Sequence, residues 1–347
     1  MSIPRIEIAP GYTISRILKG GWQLAGGHGA VDAAAAIDDM ARFAHAGITT
    51  FDCADIYTGV EELIGQFIRE RRGGPMIQVH TKYVPDIDTL TTMTRRDVEA
   101  AIDRSRSRLG VERIDLVQFH WWDFSVPRYI EVAAWLDELR RAGKIAHLGV
   151  TNFDTPRLRE LLDAGISVVS NQVQYSVLDR RPVSAMSTLC AEAGIHLLCY
   201  GGVAGGFLSD RYLDQPAPTA PLENRSLVKY RLIIDEFGGW DRFQALLRAL
   251  QTVATGHGVS LGAVALRWVM DQPRVAGVIV GARHAGHLAD LRRAAELVLD
   301  SADYARIAQA QEGASGPSGE IYELERAPGG VHGSIMRYTL NAAPAKR

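Results

Sequence analysis

Residues 114–150 read IDLVQFHWWDFSVPRYIEVAAWLDELRRAGKIAHLGV. A short apolar run, Ile114 to His120, gives way to a segment of helical period from Pro127 to Ala142, then Gly143, then a second apolar run from Ile145 to Val150. This is a strand, a crossover helix and a further strand, the repeating step of a parallel sheet. The same step recurs on both sides. Further strand candidates are Ile17 to Gly21, Ile48 to Asp52, Met76 to Lys82, Val168 to Asn171, His196 to Tyr200 and Val278 to Val280. Amphipathic segments lie between them: Asp32 to Ala46, Val60 to Arg71, Arg95 to Leu109, Thr155 to Ala164, Val183 to Ala193 and Val259 to Asp271. Gly47, Gly110, Gly143, Gly165 and Gly194 each follow a helix and precede a strand, where a left-handed residue ends a helix.

Eight such steps predict an α/β fold of the closed (β/α)8 (TIM) barrel type, with an N-terminal β-hairpin, a long loop after the seventh strand and a C-terminal tail. An open doubly wound sheet would carry GxGxxG after its first strand and an acidic residue about 20 positions later. The glycine-rich stretch Gly20-Gly-Trp-Gln-Leu-Ala-Gly-Gly-His-Gly does not have that spacing. Two segments fall outside the repeat. One runs from Gly201 to about Trp240 and is followed by a helix from about Asp241 to Thr255; the other is the Gly- and Pro-bearing chain from Gly313 onward. The expected division is a barrel over 1–315 and a tail over 316–347 that docks near the active-site face. The tail is expected to shape the substrate site rather than the stability of the barrel.

With 38 Lys plus Arg against 40 Asp plus Glu, the net charge of −2 offers no field to attract nucleic acid or an anionic membrane. A small neutral or mildly anionic substrate fits better. The 47% hydrophobic and 22% charged content is that of a globular chain with a large core. Cys53, Cys190 and Cys199 are odd in number and lack CxxC spacing, so they read as core thiols in a reducing cytoplasm. The N-terminal stretch mixes charge and proline into its apolar residues, unlike a signal peptide, and no run of about 20 apolar residues is present. The expected location is cytoplasmic.

In parallel barrels the active site lies at the C-terminal ends of the strands. Asp52 closes one predicted strand, with Tyr57 in the loop beyond it; Lys82 and His120 close two others. Any one of them has an ordinary structural reading as a cap, a solvated cation or a core residue, but their concurrence at neighbouring strand ends does not. Phe51-Asp-Cys-Ala-Asp-Ile-Tyr with Glu61-Glu-Leu-Ile-Gly resembles the FDTAxxYG and E..lG signature of the aldo-keto reductase family. Gly143-Lys-Ile with Gly149-Val-Thr-Asn-Phe, Asn171-Gln-Val-Gln-Tyr, and Tyr200 with Gly205-Gly-Phe-Leu extend the resemblance over about Leu18 to Leu291.

That resemblance implies a catalytic tetrad of Asp52, Tyr57, Lys82 and His120, with NADP(H) as cofactor and NAD(H) as the other candidate. In such a set a nearby ammonium lowers the phenol pKa of Tyr57, Asp52 holds Lys82 charged, and His120 donates to the substrate carbonyl. Tyr57 then protonates the alkoxide as hydride arrives, and alcohol oxidation is the reverse path. The resemblance also implies a nicotinamide site at Asn152 and Gln172, with Thr151 where the family often has Ser, Tyr200 stacked on the ring, and Gly21, Trp22 and Asp52 close to the cofactor. After Tyr200 the family usually continues Ser-Pro-Leu, whereas this chain reads Gly201-Gly202-Val203. The pyrophosphate is then expected on backbone N–H groups from Gly201 to Phe207, including Val203 and Gly205.

Gly281, Arg283, His287 and Asp290 fall on the adenosine end, with Arg283 the expected partner of a 2′-phosphate, although Leu291 stands where Asn is common. Trp22, Tyr57, His120, Trp121, Trp122 and Phe124 are the expected substrate wall, suited to an apolar or cyclic carbonyl or alcohol. His284 and His287 are the closest histidine pair in sequence, but neither HExxH nor a strand-borne HxH occurs, so no metal is expected. The other reading is a non-catalytic or regulatory barrel that binds a nicotinamide cofactor without turnover.

Overall fold

The computed structural model describes residues 3–27, 29–70, 74–281 and 284–341. The chain opens with a hairpin, β1 (Arg5–Ala9) against β2 (Tyr12–Ser15). Its Ile8 and Ile14 pack with Leu18, Leu116, Leu198 and Ala276, and the Tyr12 ring stacks on His147 at 4.3 Å. The hairpin thereby covers the end of the barrel opposite the strand C-termini.

Eight parallel strands follow: β3 (Ile17–Gly20), β4 (Thr50–Asp52), β5 (Gln78–Tyr83), β6 (Ile114–Phe119), β7 (Ile145–Thr151), β8 (Ser170–Gln174), β9 (His196–Tyr200) and β10 (Val275–Gly281). Sequential pairing from β3 to β9, with β10 between β9 and β3, closes the barrel. Helices α1 (Ala33–His45), α2 (Val60–Glu70), α3 (Arg95–Leu109), α4 (Tyr129–Arg141), α5 (Thr155–Asp163) and α6 (Ala185–Ala193) occupy the connections. Their starts follow local chemistry. The Asp32 and Asp154 side chains accept from backbone N–H groups at the first turns of α1 and α5, while Thr94 and Asp97 form a capping box on α3.

The Glu61 to Gly65 stretch explains itself structurally. Glu61 is buried, accepts from Thr81 Oγ1 at 2.7 Å and pairs with Arg108 at 3.2 Å, tying α2 to β5 and α3. A Cβ at Gly65 would lie 2.2 Å from the Arg108 carbonyl, so only glycine lets α2 seat against the end of α3.

The structure differs from the sequence expectation at β8 and after β9. β8 begins and ends later than the expected Val168 to Asn171, because Gln172 and Gln174 lie in the strand although they are polar. The excursion after β9 is not a structureless loop: it carries α7 (Arg225–Phe237), whose Leu227, Tyr230, Ile233, Ile234 and Phe237 form a buried stripe. It leads through α8 (Trp240–His257) and α9 (Leu261–Met270) into β10, after which come α10 (Leu288–Glu296) and α11 (Ser301–Gln311). The tail adds α12 (Glu323–Arg326) and returns across the strand C-terminal face. Its Ile321, Tyr322, Glu325 and His332 are buried. Cys53, Cys190 and Cys199 are free and buried, and among the described residues no helix is long and apolar enough to cross a membrane.

Candidate active site

At the C-terminal ends of the strands lies a cavity of about 700 Å³, within the range of small-molecule sites. Asp52, Tyr57, Lys82 and His120 all border it. Lys82 Nζ donates to Asp52 Oδ2 at 2.6 Å and to the Cys53 carbonyl at 2.8 Å, and it lies 5.2 Å from the centre of the Tyr57 ring. The other carboxylate oxygen of Asp52 accepts from Gln118 Nε2 at 2.9 Å and from Gln172 Nε2 at 2.6 Å. Gln118, which the sequence reading passed over, is thus part of the site. The signal was present: strand alternation puts Gln118 on the same face of β6 as His120, two residues on, and a fully buried glutamine in a barrel strand needs partners.

Burial works against the Lys82 ammonium, but Asp52 and Tyr57 outweigh it and hold its pKa above the ordinary lysine value. For Tyr57, burial is the largest influence and raises the phenol pKa, and the opposing pull of Lys82 does not overcome it. The expectation of a lowered Tyr57 pKa is therefore corrected. Removing the phenolate from water costs more than the neighbouring ammonium returns, so the hydroxyl stays protonated at neutral pH.

His120 is buried, and burial followed by the nearby Arg326 lowers its pKa to about 3. Its Nδ1 lies 3.2 Å from the Thr151 carbonyl, and its Nε2 has no partner among the described residues. A carbonyl only accepts, so this contact is a hydrogen bond when Nδ1 carries the proton, and a neutral ring then presents Nε2 as an acceptor. Donation to a substrate carbonyl uses the other tautomer. Trp122, set edge-on to His120 at 4.3 Å, has a buried Nε1–H that is likewise without a partner among the described residues.

Thr151, Asn152, Gln172 and Tyr200 border the cavity beside this cluster, and Trp22 lies 5.0 Å from the Tyr57 ring. Asn152 has a left-handed backbone (φ 60°), and its Oδ1 accepts from the Tyr200 hydroxyl at 2.8 Å. Gln172 is committed through Nε2 to Asp52 and Gln118. Gly201, Val203, Gly205, Gly281, His287 and Asp290 continue the wall away from the tetrad, whereas Arg283 lies outside the described residues.

Four expected contacts fall outside the wall. The Gly21 N–H donates to the Asp52 carbonyl, and Val60 fills the space where a Gly21 side chain would stand. Phe207 is fully buried against Tyr212, Trp240 and Phe243, and its N–H serves the Ala204 carbonyl. Trp121 points into the core, where its Nε1 donates to the Asp123 and Val126 carbonyls. Phe124 is covered by the tail, with the Arg326 guanidinium 4.3 Å from its ring centre. Of the consecutive tryptophans, only Trp122 faces the cavity.

The tail and α7 add wall residues that the sequence did not single out. Tyr322 stands edge-on to His120 at 5.7 Å. Lys229 Nζ sits 5.0 Å from the Tyr200 ring centre and 3.7 Å from Glu325, whose other partner is Arg181.

Comparison with known proteins identifies the family. A sequence model of the group described as "Aldo/keto reductase family" matches residues 16–312. The chain belongs to the aldo/keto reductase family. Members carry out nicotinamide-dependent carbonyl reduction. The chain is 32% identical over 257 residues to flagellar radial spoke protein 5 of Chlamydomonas reinhardtii, a match covering 63% of the chain but 49% of that longer protein. It is 26% identical over 294 residues to an NADH-specific methylglyoxal reductase of Escherichia coli (strain K12), covering 78% of the chain and 86% of that protein. In fold it superimposes on the holo form of an aldo-keto reductase from Bacillus halodurans with a TM-score of 0.71 at 24% identity, covering 93% and 99% of the two chains.

Proposed function

We propose that this aldo/keto reductase is an NADP(H)-dependent enzyme that reversibly reduces an apolar or cyclic aldehyde or ketone to the alcohol, with Tyr57 as general acid and base. The observation that carries the reading is the Lys82 ammonium, buried, paired with Asp52 and set against the Tyr57 ring in a cavity with aromatic walls.

The cavity wall suits a nicotinamide dinucleotide. Within the segment after β9, turn bonds consume the N–H groups of Ala204, Gly206 and Phe207. Among the described residues, no such bond uses those of Gly202, Val203 or Gly205, which border the cavity and fit a pyrophosphate. A reduced nicotinamide bound along this wall supplies the hydride. Thr151, Asn152 and Gln172 would take its carboxamide and Tyr200 its ring. Arg283 would take a 2′-phosphate, and His287 and Asp290 the adenosine.

The chain's own residues do the proton chemistry. Tyr57, protonated at neutral pH, gives its proton to the substrate oxygen as negative charge grows there. Lys82 stabilises the phenolate left behind, and Asp52, held by Gln118 and Gln172, keeps Lys82 in place. His120, neutral, meets the substrate oxygen through Nε2: it donates in the tautomer protonated there, and in the other, held by Nδ1–H on the Thr151 carbonyl, it accepts from the product hydroxyl. We read 1–315 as the catalytic barrel and 316–347 as the tail that closes the substrate end.

The test is oxidation of NADPH and NADH by purified protein across a panel of aldehydes and ketones. Turnover with faster use of NADPH supports the reading. Cofactor binding without turnover of any carbonyl would mark a non-catalytic barrel.

A further inference from the structure

The outer wall of the cavity is built by the start of α7 and by the tail, and both bring a guanidinium to it. Arg225, the first residue of α7, donates through Nη2 to the Ile335 carbonyl, which brings it beside Arg337, two residues further along the tail. Both arginines border the cavity, Arg225 half-buried and Arg337 exposed. Among the described residues, neither has a carboxylate within 4.0 Å, whereas Lys229 on the same wall is paired with Glu325. Burial and the charge on Arg337 both pull Arg225 below the ordinary arginine range, with Tyr322 opposing. Two like charges held together on a partly buried wall repel unless an anion lies between them, and paired guanidiniums match the geometry of a carboxylate.

Position indicates which anion. The proposed cofactor wall runs along Gly201 to Gly206 and on to Gly281 and Asp290. Arg337 stands on the other side: its neighbour Tyr338 packs edge-on to Trp122 at 5.1 Å, and Leu340 N–H donates to Asp86 beyond β5. Arg225 adjoins Ser226, which accepts from Trp22 Nε1 at 3.2 Å, and Trp22 packs on Tyr57. The pair therefore stands where the proposed pyrophosphate stretch, whose Gly205 packs against the Ser226 carbonyl, meets the substrate end. We propose that Arg225 and Arg337 form a carboxylate subsite, and that the substrate is a carbonyl compound bearing a carboxylate on an apolar or aromatic spacer that contacts Trp22 and Trp122. This rests on the reading of the cavity as a reductase site.

The test compares 4-carboxybenzaldehyde with its uncharged methyl ester, methyl 4-formylbenzoate. The wild-type protein is expected to favour the acid in kcat/KM by about tenfold or more, and Arg225→Gln and Arg337→Gln are each expected to reduce that acid-to-ester ratio by about ten- to a hundredfold, the range for a hydrogen bond between charged groups. The loss should lie in KM for the acid. Equal use of acid and ester by the wild type, or variants that keep its ratio, would overturn the subsite. Variants that instead weaken NADPH binding would assign the pair to the pyrophosphate and also overturn it. If neither aldehyde is reduced, the reductase reading fails by itself, and binding of the two aldehydes followed by tryptophan fluorescence still decides. Tighter binding of the acid, lost in the variants, supports the subsite; equal binding ends it.

Discussion

The guanidinium of Arg326, in the tail, donates to the backbone carbonyl of Asn152 at the end of β7 at 2.6 Å, and to that of Trp121 at 3.2 Å. One side chain thus ties the tail to the loops after two catalytic strands. Next to it, Glu325 is buried between Arg181 and Lys229; burial works against its carboxylate, yet the two cations bring its pKa down to about 2. The expectation that the tail leaves stability untouched is therefore revised, because removing it strips partners from buried charges.

Glu325→Gln is expected to destabilise the protein by about 3–5 kcal/mol, the cost of leaving a buried cation uncompensated. Asp179 still holds Arg181, so Lys229 bears most of that cost. The sign of the pH dependence follows: this contribution is complete above the ordinary glutamate pKa near 4.5 and fades as pH falls towards 2. Urea unfolding at pH 7 and pH 3 measures both, and a variant as stable as wild type at pH 7 would contradict the assignment.

Tyr57→Phe should lower kcat by about 10²- to 10⁴-fold, the usual range for general acid catalysis, and leave cofactor binding nearly unchanged. The ring still fills its place beside Trp22 and Lys82. Single-turnover kinetics together with NADPH titration separate the two effects. Retention of more than about a third of wild-type kcat would remove Tyr57 from the acid role.

The reduction rate should show no inflection near pH 6.5, because His120 is held neutral down to about pH 3. At alkaline pH it should fall only above the ordinary tyrosine range, since burial raises the Tyr57 pKa and the protonated form is the acid; oxidation of the alcohol should rise over the same interval. A pH profile of kcat/KM in both directions checks this. A bell centred near neutrality would mean that another group titrates in the reaction.

Arg283→Ala is expected to weaken NADPH by about 1.5–3 kcal/mol, or about ten- to a hundredfold, while NADH changes little, because a guanidinium grips the 2′-phosphate by paired charged hydrogen bonds. The similarity to an NADH-specific relative makes the comparison of both cofactors necessary. Equal losses, or none, leave the preference for NADP(H) without support.

Local pattern carried the barrel. The strand and helix periods along 114–150 and their repeats predict parallel strands in chain order, and strand ends put Asp52, Lys82 and His120 at one face before any contact is known. Even the buried stripe of α7 is legible at helical spacing, behind a proline-rich stretch that reads as a loop. Tertiary structure alone chose between Trp121 and Trp122, since each suits core or cavity and the choice fell to the packing of Phe119 and Phe153 and the carbonyls available to each indole. It also gave Asp52 two further partners, Gln118 and Gln172, put the tail against His120 and brought Arg225 beside Arg337. The reason is physical: hydrogen-bonding period and strand alternation are set by near neighbours, whereas which charges and rings meet across a closed barrel depends on segments far apart in the chain arriving at the same place.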